Sequence, residues 1–120
     1  MIVHTDTTHG KVEVSPAAVA RVASQAVLRS YGVVGMASPS LAYDIAASLT
    51  GDPSRGVQIA FKDDRLVIDV YIIIEYGTRI STVAQSLIDA IRYDVEKIVG
   101  IPVEQVNIHV QGLRVSQPDT

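Results

Sequence analysis

Leu66-Val-Ile-Asp-Val-Tyr-Ile-Ile-Ile-Glu-Tyr76 decides the fold of this chain, because it reads as one long strand enriched in β-branched and aromatic residues. Gly77 breaks it. From Ser81 to Val99 the pattern changes to helical spacing, with Val83, Ala84, Leu87, Ile88, Ile91, Val95 and Ile98 on one side. Ile88 and Ile91 stand at the middle of that stripe and are predicted to be almost fully buried. Gly100 and Pro102 stop the helix, and Val106-Asn-Ile-His-Val110 alternates as a half-buried strand.

Upstream, Gly10-Lys-Val-Glu-Val14 alternates as a strand with Val12 and Val14 facing inward. Ser15-Pro16 is a cap followed by proline at the first helical position, where its missing N–H costs nothing. That helix runs to about Ser30 with Val19, Val22, Ala23, Ala26 and Val27 in one stripe, and Tyr31-Gly-Val-Val-Gly-Met36 ends it and begins a short strand. Ser38 to Gly56 is rich in Ser, Pro and Gly, yet Leu41, Ile45 and Leu49 predict a short surface helix from about Ser40 to Leu49. Gly51-Asp-Pro-Ser54 reads as a turn. Gly56 to Phe61 and Leu66 to Tyr76 are strands joined by Lys62-Asp-Asp-Arg65, a hairpin signal.

The predicted fold is an α/β (α+β) two-layer sandwich in the order β-α-β, a short helix, then β-β-α-β. A mixed sheet of about five strands carries both long helices on one face. The expected domain spans residues 10–114, between a loose lead-in over 1–9 and a frayed tail over 115–120.

Composition narrows the function. The chain has 120 residues, 48% of them hydrophobic and 19% charged, which suits one core-rich domain rather than a disordered segment. Its net charge is −3 with ten scattered Lys and Arg residues, so no basic footprint for nucleic acid or anionic lipid is visible. It has no cysteine, which removes disulfides, thiolate metal sites and thiol catalysis together and fits a reducing cytoplasm. No signal peptide is legible, and the longest apolar run, Val70 to Ile74, falls far short of the roughly 20 residues needed to span a bilayer. A soluble, cytoplasmic protein without direct membrane insertion is expected.

The sheet face turned away from the helices is expected to carry Lys11, Glu13, Gln58, Asp69, Glu75, Asn107, His109 and Gln111 around an apolar centre of Val67, Tyr71 and Ile73. Monomers seldom leave such a centre bare, so Val67, Asp69, Tyr71, Ile73 and His109 form the candidate interface. The same Asp69, Tyr71 and His109 are also the residues that would line a shallow ligand pocket. No nucleophile paired with a base is recognisable beside them, and no Walker loop, dinucleotide fingerprint or nucleophile elbow occurs.

Other motifs read as structure. His4-x-Asp-x-x-His9 has ligand types suited to a divalent metal, but at a terminus with no fixed outer shell it predicts adventitious binding, and no metal or cofactor is expected. Asp63-Asp64 are adjacent in a turn and point apart. Gly32-Val-Val-Gly35 has the spacing of the KH-domain glycine clamp, but it joins a helix to a strand in an acidic chain, so structural glycines are expected.

Taken in order, these segments resemble the alkaline-shock protein family of bacterial envelope-stress proteins over about residues 10–114. The carriers are Gly10-Lys-Val-Glu-Val14 with Ser15, Tyr31-Gly-Val-Val-Gly-Met36, Gly56-Val, Ile68-Asp-Val-Tyr-Ile-Ile-Ile-Glu-Tyr-Gly77 with Ile80, Gly100, and Val106-Asn-Ile-His-Val110-Gln-Gly112. The resemblance implies a non-enzymatic interaction or scaffold protein with no catalytic residues to assign. It implies a cytosolic protein linked to cell-envelope homeostasis that pairs with copies of itself or a family paralogue, and that a separate anchor protein can hold at the membrane. One branch of the family is encoded beside a fatty-acid kinase. A small-ligand-binding protein or accessory factor linked to lipid phosphorylation is therefore the alternative.

Overall fold

The computed structural model describes residues 3–37 and 56–115. In chain order it contains β1 (Val3–Thr7), β2 (Gly10–Val14), α1 (Pro16–Leu28), β3 (Val33–Met36), β4 (Val57–Lys62), β5 (Arg65–Glu75), α2 (Ile80–Val99) and β6 (Val103–Arg114). The expected short helix from Ser40 to Leu49, the turn at Gly51–Ser54 and the tail beyond Val115 lie outside the described residues.

The long strand read from the sequence is the centre of the sheet. On one edge β5 pairs in parallel with β6, from Leu66↔Val103 to Glu75↔Arg114. On its other edge it pairs antiparallel with two strands in succession, β4 against Arg65–Val70 and β3 against Ile72–Ile74. The Ala37 N–H donates to the Tyr71 carbonyl at 2.8 Å and continues that ladder. β3 and β4 therefore run in the same direction, end to end, as one edge built from two stretches of sequence. The sheet is mixed, and β5-α2-β6 is its parallel strand-helix-strand unit.

Period two along β5 places Leu66, Ile68, Val70, Ile72 and Ile74 under the helices, and all five are fully buried. They meet Val19, Ala20, Ala23, Ala26 and Val27 of α1 and Val83, Leu87, Ile91 and Val95 of α2, which lie side by side over the same face. This is the expected α+β two-layer arrangement. Ser15 caps α1 as read, its Oγ accepting from the Ala18 N–H at 3.1 Å. Ser15→Ala leaves that donor to water and should lower stability by about 1 kcal/mol, read as a shifted urea midpoint.

Several expectations are corrected. Val3–Thr7, expected as loose lead-in, forms β1 and pairs with β2 from Val3↔Val14 to Thr7↔Gly10. Among the described residues β2 pairs with no strand of the main sheet. A partner only a turn away closes with far less chain entropy than a distant one. Val12 is consequently 52% exposed rather than inward, and Lys11 and Glu13 pair with each other at 3.0 Å instead of standing on the main sheet. Ile88 and Val22 are half-buried at the flanks of their stripes. Ile98 has the right angular position but lies in the last turn of α2 and is 65% exposed. The core contacts beyond that turn come from Ile101 and Val103, past the left-handed cap at Gly100.

Candidate functional site

On the sheet face away from the helices, β5 and β6 present matched side chains because their parallel register pairs Val67↔Gln105, Asp69↔Asn107 and Tyr71↔His109. Gln58 of β4 stands opposite Asp69 on the other side. The result is a connected row. Gln105 Nε2 donates to Asn107 Oδ1 at 2.8 Å, and Asn107 Nδ2 donates to Asp69 Oδ1 at 3.1 Å. The same Asp69 oxygen lies 2.9 Å from His109 Nε2. The His109 ring stacks on Tyr71 with centroids 4.4 Å apart and planes 11° from parallel. Tyr71 in turn donates its hydroxyl to Gln58 Oε1 at 3.2 Å.

These contacts fix the imidazole. A carboxylate only accepts, so His109 Nε2 is the donor in this contact. A carboxylate that orients a histidine is one part of a catalytic relay, but the relay also needs a hydroxyl or thiol on the far side. The hydroxyl of Tyr71, whose ring stacks on His109, is held by Gln58. What the row supplies is a rigid aromatic–imidazole platform with an amide and carboxylate border, partly open to solvent. His109 and Asp69 keep 42% and 28% of their side-chain area exposed.

Of the five candidate interface residues, the structure brings Asp69, Tyr71 and His109 together. Val67 stands one pleat away and lines a shallow cavity of about 330 Å³ with Lys62, Asp63, Glu104 and Gln105. Ile73 is on the same strand face but is fully buried and outside the helix-facing core, so it offers no contact surface. Gln58 and Asn107 were legible as outward residues, but their role in locking the platform follows only from the register.

A second concavity, of about 310 Å³, lies at the far end of the sheet between Tyr31, Gly32, Val33, Val34, Glu75, Thr78 and Arg114. Arg114 reaches Glu75 at 3.2 Å across it. Sequence reading did not single out Arg114; the parallel register Glu75↔Arg114 is the signal that reveals it. Neither concavity includes Asp69, Tyr71 or His109.

The remaining motifs settle into the scaffold. Asp63 and Asp64 form the two-residue hairpin turn, with φ of 50° and 63° and both side chains exposed. Gly32 is in the turn before β3 and Gly35 is buried within it. His9 is exposed in the β1–β2 turn, whereas the side chains of His4 and Asp6 lie outside the described ones. Among the described residues no group of His, Asp and Glu is arranged to hold a metal ion, and no helix is long and apolar enough to cross a membrane.

Comparison with known proteins adds the family. Residues 4–115 match the ASP23 family, described as having a cell envelope-related function. The chain is similar to the uncharacterized protein YloU of Bacillus subtilis (strain 168), at 38% identity over 98% of this chain and 100% of that protein. It is also similar to the uncharacterized protein Spy1614 of Streptococcus pyogenes serotype M6, at 32% identity over 96% and 97%. Among solved structures, it matches the zinc form 2 of the MamM CTD H264E protein at 15% identity, TM-score 0.47, over 83% of this chain and 85% of that one. The chain belongs to the ASP23 family, the alkaline-shock family that its segments resemble, and membership ties it to a cell envelope-related function.

Proposed function

We propose that this ASP23-family chain is a non-catalytic interaction module, serving its envelope-related role through protein contacts on the outward sheet face. Tyr71 and His109 are the anchor of that contact, with Gln58, Asp69, Gln105 and Asn107 as its polar border. The observation that carries this reading is the stacked Tyr71–His109 pair, held at both ends by Gln58 and Asp69 on a solvent-facing surface. An aromatic group held rigid before binding loses little conformational entropy on contact, which is what interface anchors require. The partner is a second copy, a family paralogue or a membrane-anchor protein; the charge of −3 with dispersed cations speaks against nucleic acid. The accessory role in lipid phosphorylation gains no support from the two concavities, since neither contains the anchored pair.

Tyr71→Asp tests this reading. An outward position tolerates charge, so the circular dichroism spectrum should stay native. Loss of an anchor should cost at least about 2 kcal/mol of binding, roughly 30-fold in affinity. The measurements are light scattering of the purified protein and capture of partners from separated membrane and cytosolic fractions. An unchanged mass together with an unchanged partner set removes this surface from consideration.

A further inference from the structure

Among the described residues, every sheet edge but one is blunted. The β3–β4 edge is made of two short strands that are not continuous in sequence, is irregular between Val33 and Gly35, and ends on Lys62. The β1–β2 ladder is short, and its β2 strand exposes Lys11 and Glu13. Such breaks and charges keep strands from pairing with other chains. β6 is different. It is the longest strand, its only strand partner among the described residues is β5, and Gln105 to Leu113 carries neither proline nor formal charge. Among the described residues its first residue alone is closed off, with the Val103 N–H donating to Glu96 Oε2 at 2.8 Å and the Val103 carbonyl accepting from Arg92 at 3.0 Å.

From this edge we propose that two copies of the chain join through antiparallel pairing of their β6 strands about a two-fold axis. The stretch between the two register shifts, near Gln105 and Gln111, provides the regular ladder. Directly opposed residues in an antiparallel pair share a sheet face, so a two-fold pairing centred on Ile108 sets Val106, Ile108 and Val110 against the same three residues of the copy. Ile108 and Val110 pack on the core yet remain half-buried, as apolar residues at an unclosed sheet edge do. The copy's β6 would continue the sheet beside them. On the other face such a pairing sets Asn107 of each copy against His109 of the other, amide against imidazole. Self-pairing encounters no like-charge repulsion, because this stretch has no formal charge to repel. An uncharged, self-matched edge suits a second copy better than a charged strand from another protein.

The pairing is independent of the outward-face reading, and the two fail separately. The native chain has no cysteine, so single cysteines introduced in turn at Val106, Asn107, Ile108, His109 and Val110 report without background. A two-fold axis makes one residue face itself; its neighbours at two positions lie about 14 Å from their counterparts, whereas a disulfide needs Cα atoms within about 7 Å. Oxidation should therefore give covalent dimer at one position of the five and little at the rest. Introducing Tyr71→Asp beside that cysteine should leave the cross-link intact even where it removes partner capture.

Hydrogen exchange on the unmodified protein covers the case in which a core-facing cysteine unfolds the domain. β6 amides should gain protection as protein concentration rises, while those of β1 and β2 do not. Cross-linking at none of the five, or equally at all, overturns the pairing. So does β6 protection that ignores concentration or appears only on adding a different protein.

Discussion

Gly56→Val should leave little folded protein. A Cβ at residue 56 would come within 2.9 Å of the Ala37 carbonyl oxygen and 2.9 Å of Met36 Cβ, closer than packed atoms approach. One of those neighbours is backbone in the sheet ladder, held by the bond from the Ala37 N–H to Tyr71, and cannot swing aside. All three residues are buried. Overpacking of this kind costs about 1–3 kcal/mol for one added carbon, so Gly56→Ala should already lose that much. Valine adds two further methyl groups at the same place and should exceed it. Gly10→Ala is the control, since a Cβ there meets nothing within 4 Å, and its stability from urea melts should change by less than about 0.5 kcal/mol. Equal midpoints for Gly56→Ala and the parent would mean that β3 and β4 do not meet end to end.

Ile91→Ala is expected to cost about 2–5 kcal/mol, from lost transfer energy and the cavity left behind. Ile91 is fully buried at mid-helix between Leu87 and Val95, facing the central strand. A small domain holds only about 5–15 kcal/mol in all, so this one truncation removes a large share of it. In urea the midpoint should fall by roughly 1–3 M at an ordinary slope. The same truncation at Ile98, which is 65% exposed, should change little, while half-buried Ile88 should fall between. A flat response across the three would mean that α2 does not present this stripe to the sheet.

These two positions also show what sequence could reveal. The β5 strand and the α2 stripe were legible because period two and period 3.6 are local properties, set by backbone geometry and readable without knowing any partner. Where a stripe ends is a tertiary matter. Ile98 has the correct phase but lies beyond the point where Ile101 and Val103 make the core contact, and phase alone carries no such information. Val12 alternates as a buried strand residue should, yet its strand found β1 rather than the main sheet. Alternation says that a strand has two faces, not which neighbour it joins.

The outward face was legible in part for the same reason. Parity along β5 placed Asp69 and Tyr71 on one side, and parity along β6 placed Asn107 and His109 on one side. Their meeting depends on the register between parallel strands joined through α2, which includes shifts near Gln105 and Gln111. No local pattern encodes a register shift. Ile73 shares the parity of Tyr71 and is nevertheless fully buried, so parity assigns a side without assigning exposure.

The interrupted edge strand bears on how this fold tolerates change. Ala37, at the end of β3, and Gly56, before β4, lie against each other, so two points 19 residues apart in sequence meet on the sheet edge. The entropic cost of bringing two chain positions together grows only as the logarithm of the number of residues between them, about 0.6 kcal/mol for each doubling. The pairing of β3 and β4 with β5 does not require the intervening segment to have any given number of residues. The register of this sheet edge is thus set by residues 33–37 and 56–62 against β5, and two stretches far apart in sequence act there as one strand.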